Sequence, residues 1–160
     1  MRSIIWRLTL KLKRKSYLTQ MSILYFSSFL IVLAVLPFIF LTDITLGENS
    51  NGPTVSEWII VSLFVPLFET FLFQQLPFKI MQNWSLTTNR YGIYILLSAI
   101  IFGLSHWYSL QYMIFAFAMG LVLGYTYFFY SKTPKVAFWS TILIHGLRNL
   151  IAYIAIWFDK

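Results

Sequence analysis

The stretch that decides the fold is Trp58–Leu76, WIIVSLFVPLFETFLFQQL. It is uncharged except at Glu69 and long enough to read as a transmembrane helix. An ionisable side chain at mid-membrane costs about 2.5–3.5 kcal/mol on insertion scales, so it marks a functional site by default. Two further apolar segments carry one histidine each, His106 and His145, and the chain has no others. One acid and two histidines on three separate membrane helices form a candidate site.

Composition sets the class around that stretch. Of 160 residues, 59% are hydrophobic and 11% charged, with a mean hydropathy of +0.73. That balance is expected of an all-α polytopic membrane protein with a single domain. Cysteine is absent, which excludes a disulfide framework, a thiolate metal site and a cysteine nucleophile. The net charge of +7 is uneven, since six basic residues fall in the first fifteen positions. Basic residues that cap apolar helices do not form a nucleic-acid-binding face, so nucleic acid is not an expected partner. Membrane lipids are.

Five spans are expected. Residues 1–20 alternate basic and apolar positions, with Arg2, Arg7, Lys11, Lys13, Arg14 and Lys15 among Ile4, Trp6, Leu8, Leu10 and Leu12. They read either as a basic segment lying on the membrane surface or as a solvated positive tail. Residues 21–41 form an anchor helix, too long for a signal-peptide core and followed by no small-x-small cleavage site. A polar loop over 42–56 holds Asp43 and Glu48. The core, 57–157, supplies four further helices at about 57–80, 91–107, 109–130 and 136–157, with Pro66 and Pro77 inside the first. A connection at 81–90 carries Asn83, Trp84 and Arg90, and Ser131–Lys135 form a turn. The Lys/Arg bias puts the N-terminus inside and the C-terminus outside. Ala116, Gly120 and Gly124 recur every four residues, a spacing for close helix packing. Trp107 and Tyr108 read as part of an aromatic belt.

Three polar segments carry the chemistry. They are Glu69-Thr70 with Gln74, Phe102 with His106 four residues on, and His145 with Asn149 four residues on. At about 1.5 Å per residue, Glu69 lies roughly 16 Å, His106 roughly 22 Å and His145 roughly 15 Å from their cytoplasmic helix ends, so a shared layer is geometrically allowed. A carboxylate among Phe68, Phe71 and Phe73 suits a general base that activates water. A histidine beside it orients the water or shuttles a proton. A second histidine with an asparagine donates to a developing oxyanion. Two histidines and a glutamate are also the ligand types of catalytic zinc, and the sequence does not separate the two mechanisms. Blander readings pair Glu69 with Arg148 as a structural ion pair, or place Glu and His in a proton relay.

The order and spacing resemble the CPBP family of intramembrane endopeptidases. That family includes the type II CAAX-processing proteases and the bacteriocin-processing or self-immunity (Abi) proteins. Its pattern is Glu-Glu-x-x-x-Arg, then Phe-x-x-x-His, then His-x-x-x-Asn or Asp, on separate membrane helices. Phe102–His106 and His145–Asn149 match the second and third motifs. In the first, Glu69 matches, while Thr70 stands at the second glutamate and Gln74 at the arginine. The resemblance covers about 57–157. It implies that Glu69 is the general base, His106 its partner at the water, and His145 and Asn149 the oxyanion stabilisers. Thr70 and Gln74, four apart, are expected to hydrogen-bond in place of the missing ion pair, and Arg148 to supply the missing positive charge. The implied function is hydrolysis of a peptide bond in a membrane-proximal peptide or protein, in a bacterial cytoplasmic membrane. The glutamate–water reading needs no cofactor. The alternative is a non-catalytic relative acting in bacteriocin self-immunity or in regulation of a partner.

Overall fold

The computed structural model describes residues 4–40, 55–83 and 91–158. Most of the expected 42–56 loop and of the 81–90 connection lies outside them, including Asp43, Glu48, Trp84 and Arg90. A short basic helix, α1 (Ile4–Lys13), turns into α2 (Tyr17–Phe40). A continuous helical run over 55–83 follows and is called α3. Then come α4 (Tyr91–Leu104), α5 (Leu110–Tyr130) and α6 (Pro134–Phe158). Among the described residues every element is helical.

Three of these helices are long and apolar enough to cross a membrane: Tyr17–Pro37, Ser56–Gln82 and Leu110–Tyr130. The Tyr91–Leu104 helix is apolar but shorter. At about 1.5 Å per residue it spans only about 20 Å of a hydrocarbon core about 30 Å thick. It was expected to reach residue 107 and stops earlier because Ser105 Oγ and His106 Nδ1 both turn back onto the Phe102 carbonyl, at 2.7 Å each. Ser109 then caps α5 by accepting from the Tyr112 N–H at 3.1 Å. The 25-residue α6 is long enough to span, but its apolar pattern is interrupted by His145, Arg148 and Asn149. Apolar side chains such as Phe68, Leu72, Ile101, Leu104 and Leu143 point outward. That surface suits a bilayer and not water.

Two prolines shape α3. Proline has no N–H, so each leaves a carbonyl four or five residues earlier without its helical donor. Each follows a π-helical stretch, Ile60–Phe64 before Pro66 and Thr70–Gln75 before Pro77. The wider i→i+5 pattern is explicit in Val65 N–H to Ile60 O and Leu76 N–H to Phe71 O. Neighbouring helices then use the freed carbonyls. Asn149 of α6 donates to Val61 O at 2.9 Å. From α4, Ser98 donates to Phe73 O at 2.6 Å, and Tyr94 adds a bond to the next carbonyl, Gln74 O, at 3.0 Å.

Small residues also bring neighbouring helices into close approach. A Cβ on Gly120 would lie 2.8 Å from Ala99 Cα, and one on Gly103 would lie 2.9 Å from Phe117 Cβ. The small-residue stripe of α5 therefore packs on a matching stripe of α4, which the 116/120/124 spacing anticipated from one side only. A Cβ on Gly146 would run into the Ser62 carbonyl. The core between α2, α4, α5 and α6 holds Leu24, Phe102, Met119, Leu123 and Ile144.

Candidate functional site

Glu69 sits between the two π turns of α3, so its position is set by both prolines. Its carboxylate is bracketed by the two histidines of the chain. His106 Nε2 lies 3.6 Å from Oε1, and His145 Nε2 lies 3.3 Å from Oε2. The three side chains are 19%, 13% and 6% exposed, in the order Glu69, His106, His145. The convergence depends on α4 ending early, because His106 then belongs to a turn and not to a helix rising past the layer of Glu69.

Phe102 seats both imidazoles. Its ring centroid lies 4.6 Å from that of His106 and 5.6 Å from that of His145. Its carbonyl also fixes the His106 tautomer. A carbonyl only accepts, so at 2.7 Å the proton of a neutral His106 is assigned to Nδ1. Nε2 is then a lone pair facing a carboxylate oxygen across 3.6 Å. Two acceptors at that distance are favourable only with a proton or a water O–H between them. His145 is different, because its Nδ1 is buried with no hydrogen-bond partner. Its Nε2 is the nitrogen that addresses Glu69.

Asn149 lies one turn beyond His145 and uses an amide N–H on Val61 O. It thereby ties α6 to the first π turn of α3. Thr70 and Gln74 are fully buried, and Thr70 Oγ1 and both Gln74 side-chain atoms lack hydrogen-bond partners. The expected Thr70–Gln74 hydrogen bond is not formed. Arg148 makes no ion pair with Glu69. Its guanidinium carbon lies 4.1 Å from the ring centroid of Phe29 on α2. Successive positions of a helix are about 100° apart, enough to direct position 148 to α2 while 149 faces α3.

Tyr112 was not anticipated. Its ring lies 5.2 Å from that of His106 and is joined by Tyr108 at 5.8 Å. No motif marks it, since it reaches the site only through the turn at Ser105–Ser109. Trp107 and Tyr108 are 78% and 79% exposed beside that turn.

Glutamate and histidine are suitable zinc ligands by type. Here, however, the two imidazoles address opposite oxygens of one carboxylate. Among the described residues no group of three or more His, Cys, Asp or Glu side chains is arranged to hold a metal ion.

No curated protein and no solved structure matches the chain. A protein-family comparison does. The sequence model described as type II CAAX prenyl endopeptidase Rce1-like matches residues 51–151, which contain Glu69, His106, His145 and Asn149. With its long apolar helices, this makes the chain an integral membrane protein, and it belongs to the Rce1-like family of type II CAAX prenyl endopeptidases.

Proposed function

We propose that this family member is an active intramembrane endopeptidase in which Glu69 activates water. The observation that carries the reading is one carboxylate held at 3.6 and 3.3 Å by imidazoles from two other segments. In the proposed reaction Glu69 takes a proton from water held between it and His106. The resulting hydroxide adds to the scissile carbonyl. His145, with the second amide N–H of Asn149, stabilises the oxyanion. The carbon–nitrogen bond then breaks as the proton held by Glu69 passes to the departing amine. No step requires a metal, so the class is glutamic. The substrate in this reading is a membrane-proximal peptide or protein at a bacterial cytoplasmic membrane, and the Lys/Arg bias favours an N-terminus on the inner side.

The test compares new peptide termini in membranes of cells carrying wild-type or Glu69→Gln protein. Termini present with wild type and lost in Glu69→Gln support the reading. An identical set would remove Glu69 as the base.

A second reading is favoured by the buried, unpartnered Thr70 and Gln74, which replace a charged pair of the family pattern. It is a non-catalytic relative acting in bacteriocin self-immunity or in regulation of a partner. Glu69→Ala, His106→Ala and His145→Ala would then each leave the cellular phenotype intact.

A further inference from the structure

The basic N-terminal segment does not trail from the bundle. Thr9 is buried on α1 and its Oγ1 lies 2.8 Å from Tyr125 Oη of α5. The α1–α2 corner is fixed as well. Ser16 accepts from the Thr19 N–H at 3.3 Å, and Gln20 Nε2 donates to Lys15 O at 2.8 Å. Tyr17 Oη lies 2.9 Å from Ser140 Oγ of α6, and its ring is 5.7 Å from that of Tyr130.

This folding brings like charges together. Lys13 Nζ sits 5.4 Å from the centroid of Phe129, near the end of α5. Lys132, in the turn that follows, is close enough for its charge to act on Lys13. Partial burial and that charge together pull the Lys13 ammonium below its ordinary value. Arg14, Lys15 and Lys135, one to three residues along the chain from them, are exposed. The acids of the described residues are Glu57, at the other end of α3, and Glu69, in the candidate site. A docked cluster of cations with no carboxylate nearby among the described residues is unfavourable unless an anion is present. Leu10 and Leu18 are exposed beside it, so the same corner offers apolar surface at the edge of the bilayer.

We infer that Lys13 and Lys132, flanked by Arg14, Lys15 and Lys135, form a binding site for the phosphate headgroup of an anionic phospholipid. The lipid is the occupant because the corner joins cations to exposed apolar side chains at a helix end, as a headgroup with acyl chains requires. The site is separate from Glu69 and independent of catalysis.

Native mass spectrometry of the full chain, released from micelles of phosphatidylcholine and phosphatidylglycerol in equal parts, tests this. Wild type is expected to retain phosphatidylglycerol preferentially. Lys13→Gln or Lys132→Gln should each lower that preference roughly five-fold, and the pair together roughly twenty-five-fold. Lys13→Arg should keep it, which separates loss of charge from loss of fold. Lys79→Gln, on α3, should leave it unchanged. The inference fails if wild type shows no preference or if both glutamine variants match wild type. It fails equally if Lys79→Gln lowers the preference as much, if inorganic phosphate alone occupies the site as well, or if an acidic peptide displaces the lipid.

Discussion

At the scale of single residues, the site is defined by which atoms of each side chain are already committed. His106 spends Nδ1 on the Phe102 carbonyl and so turns a bare Nε2 toward Glu69. Under the proposed mechanism, Glu69→Gln should lower turnover about 10²–10⁴-fold while leaving thermal stability near wild type, checked by cleavage assay and melting of the purified protein. Treatment with a zinc chelator should leave wild-type turnover unchanged, and loss of activity reversed by added zinc would contradict a glutamic mechanism. Asn149 has a structural role as well as a proposed chemical one, because Val61 O depends on it. Asn149→Ala should therefore destabilise the protein by about 1–3 kcal/mol in addition to slowing turnover. Glu69, His106, His145 and Asn149 could be picked out in the sequence because ionisable and amide groups are costly in an apolar helix. The direction of Arg148 could not. The same sequence allows it to face α3 or α2, and only the packing sends it to Phe29.

At the scale of elements, α3 is the informative one. Its prolines are visible in the sequence, but which carbonyls they release and which partners take them up depend on the neighbouring helices. The Asn149–Val61 bond provides a double-mutant test. Pro66→Ala restores an N–H for the carbonyls at 61 and 62. The stability cost of Asn149→Ala should then be smaller in the Pro66→Ala background than alone, and equal costs would show that the two positions are uncoupled. Gly146 is the contact at which α6 meets the Ser62 carbonyl. Gly146→Ala should lower the melting temperature and, by moving His145, lower activity too; a variant that melts like wild type would mean that α6 shifts freely. The early end of α4 is a similar case. Its apolar pattern runs on through Leu104, and only the side chains of Ser105 and His106 folding onto Phe102 show where it stops.

At the scale of the whole molecule, the helices place the basic end and the candidate site at different levels of the bundle. The chain has no cysteine, so single-cysteine variants can be labelled without background. With the topology read from the Lys/Arg bias, Ser131→Cys should react with an impermeant maleimide only from the inside of sealed vesicles and Trp107→Cys only from the outside. The reverse pattern would invert the orientation and the proposed face of the lipid site. By itself, the sequence determined that this is a helical membrane protein with one acid and two histidines in apolar segments. Hydropathy and the cost of buried charge are local properties that need no partner to be read. Only the tertiary structure decided that both histidines meet the same carboxylate, that Thr70 and Gln74 do not pair, and that α1 folds against α5. Each of these depends on groups distant in the chain sharing a few ångströms of space, and no local periodicity encodes that distance.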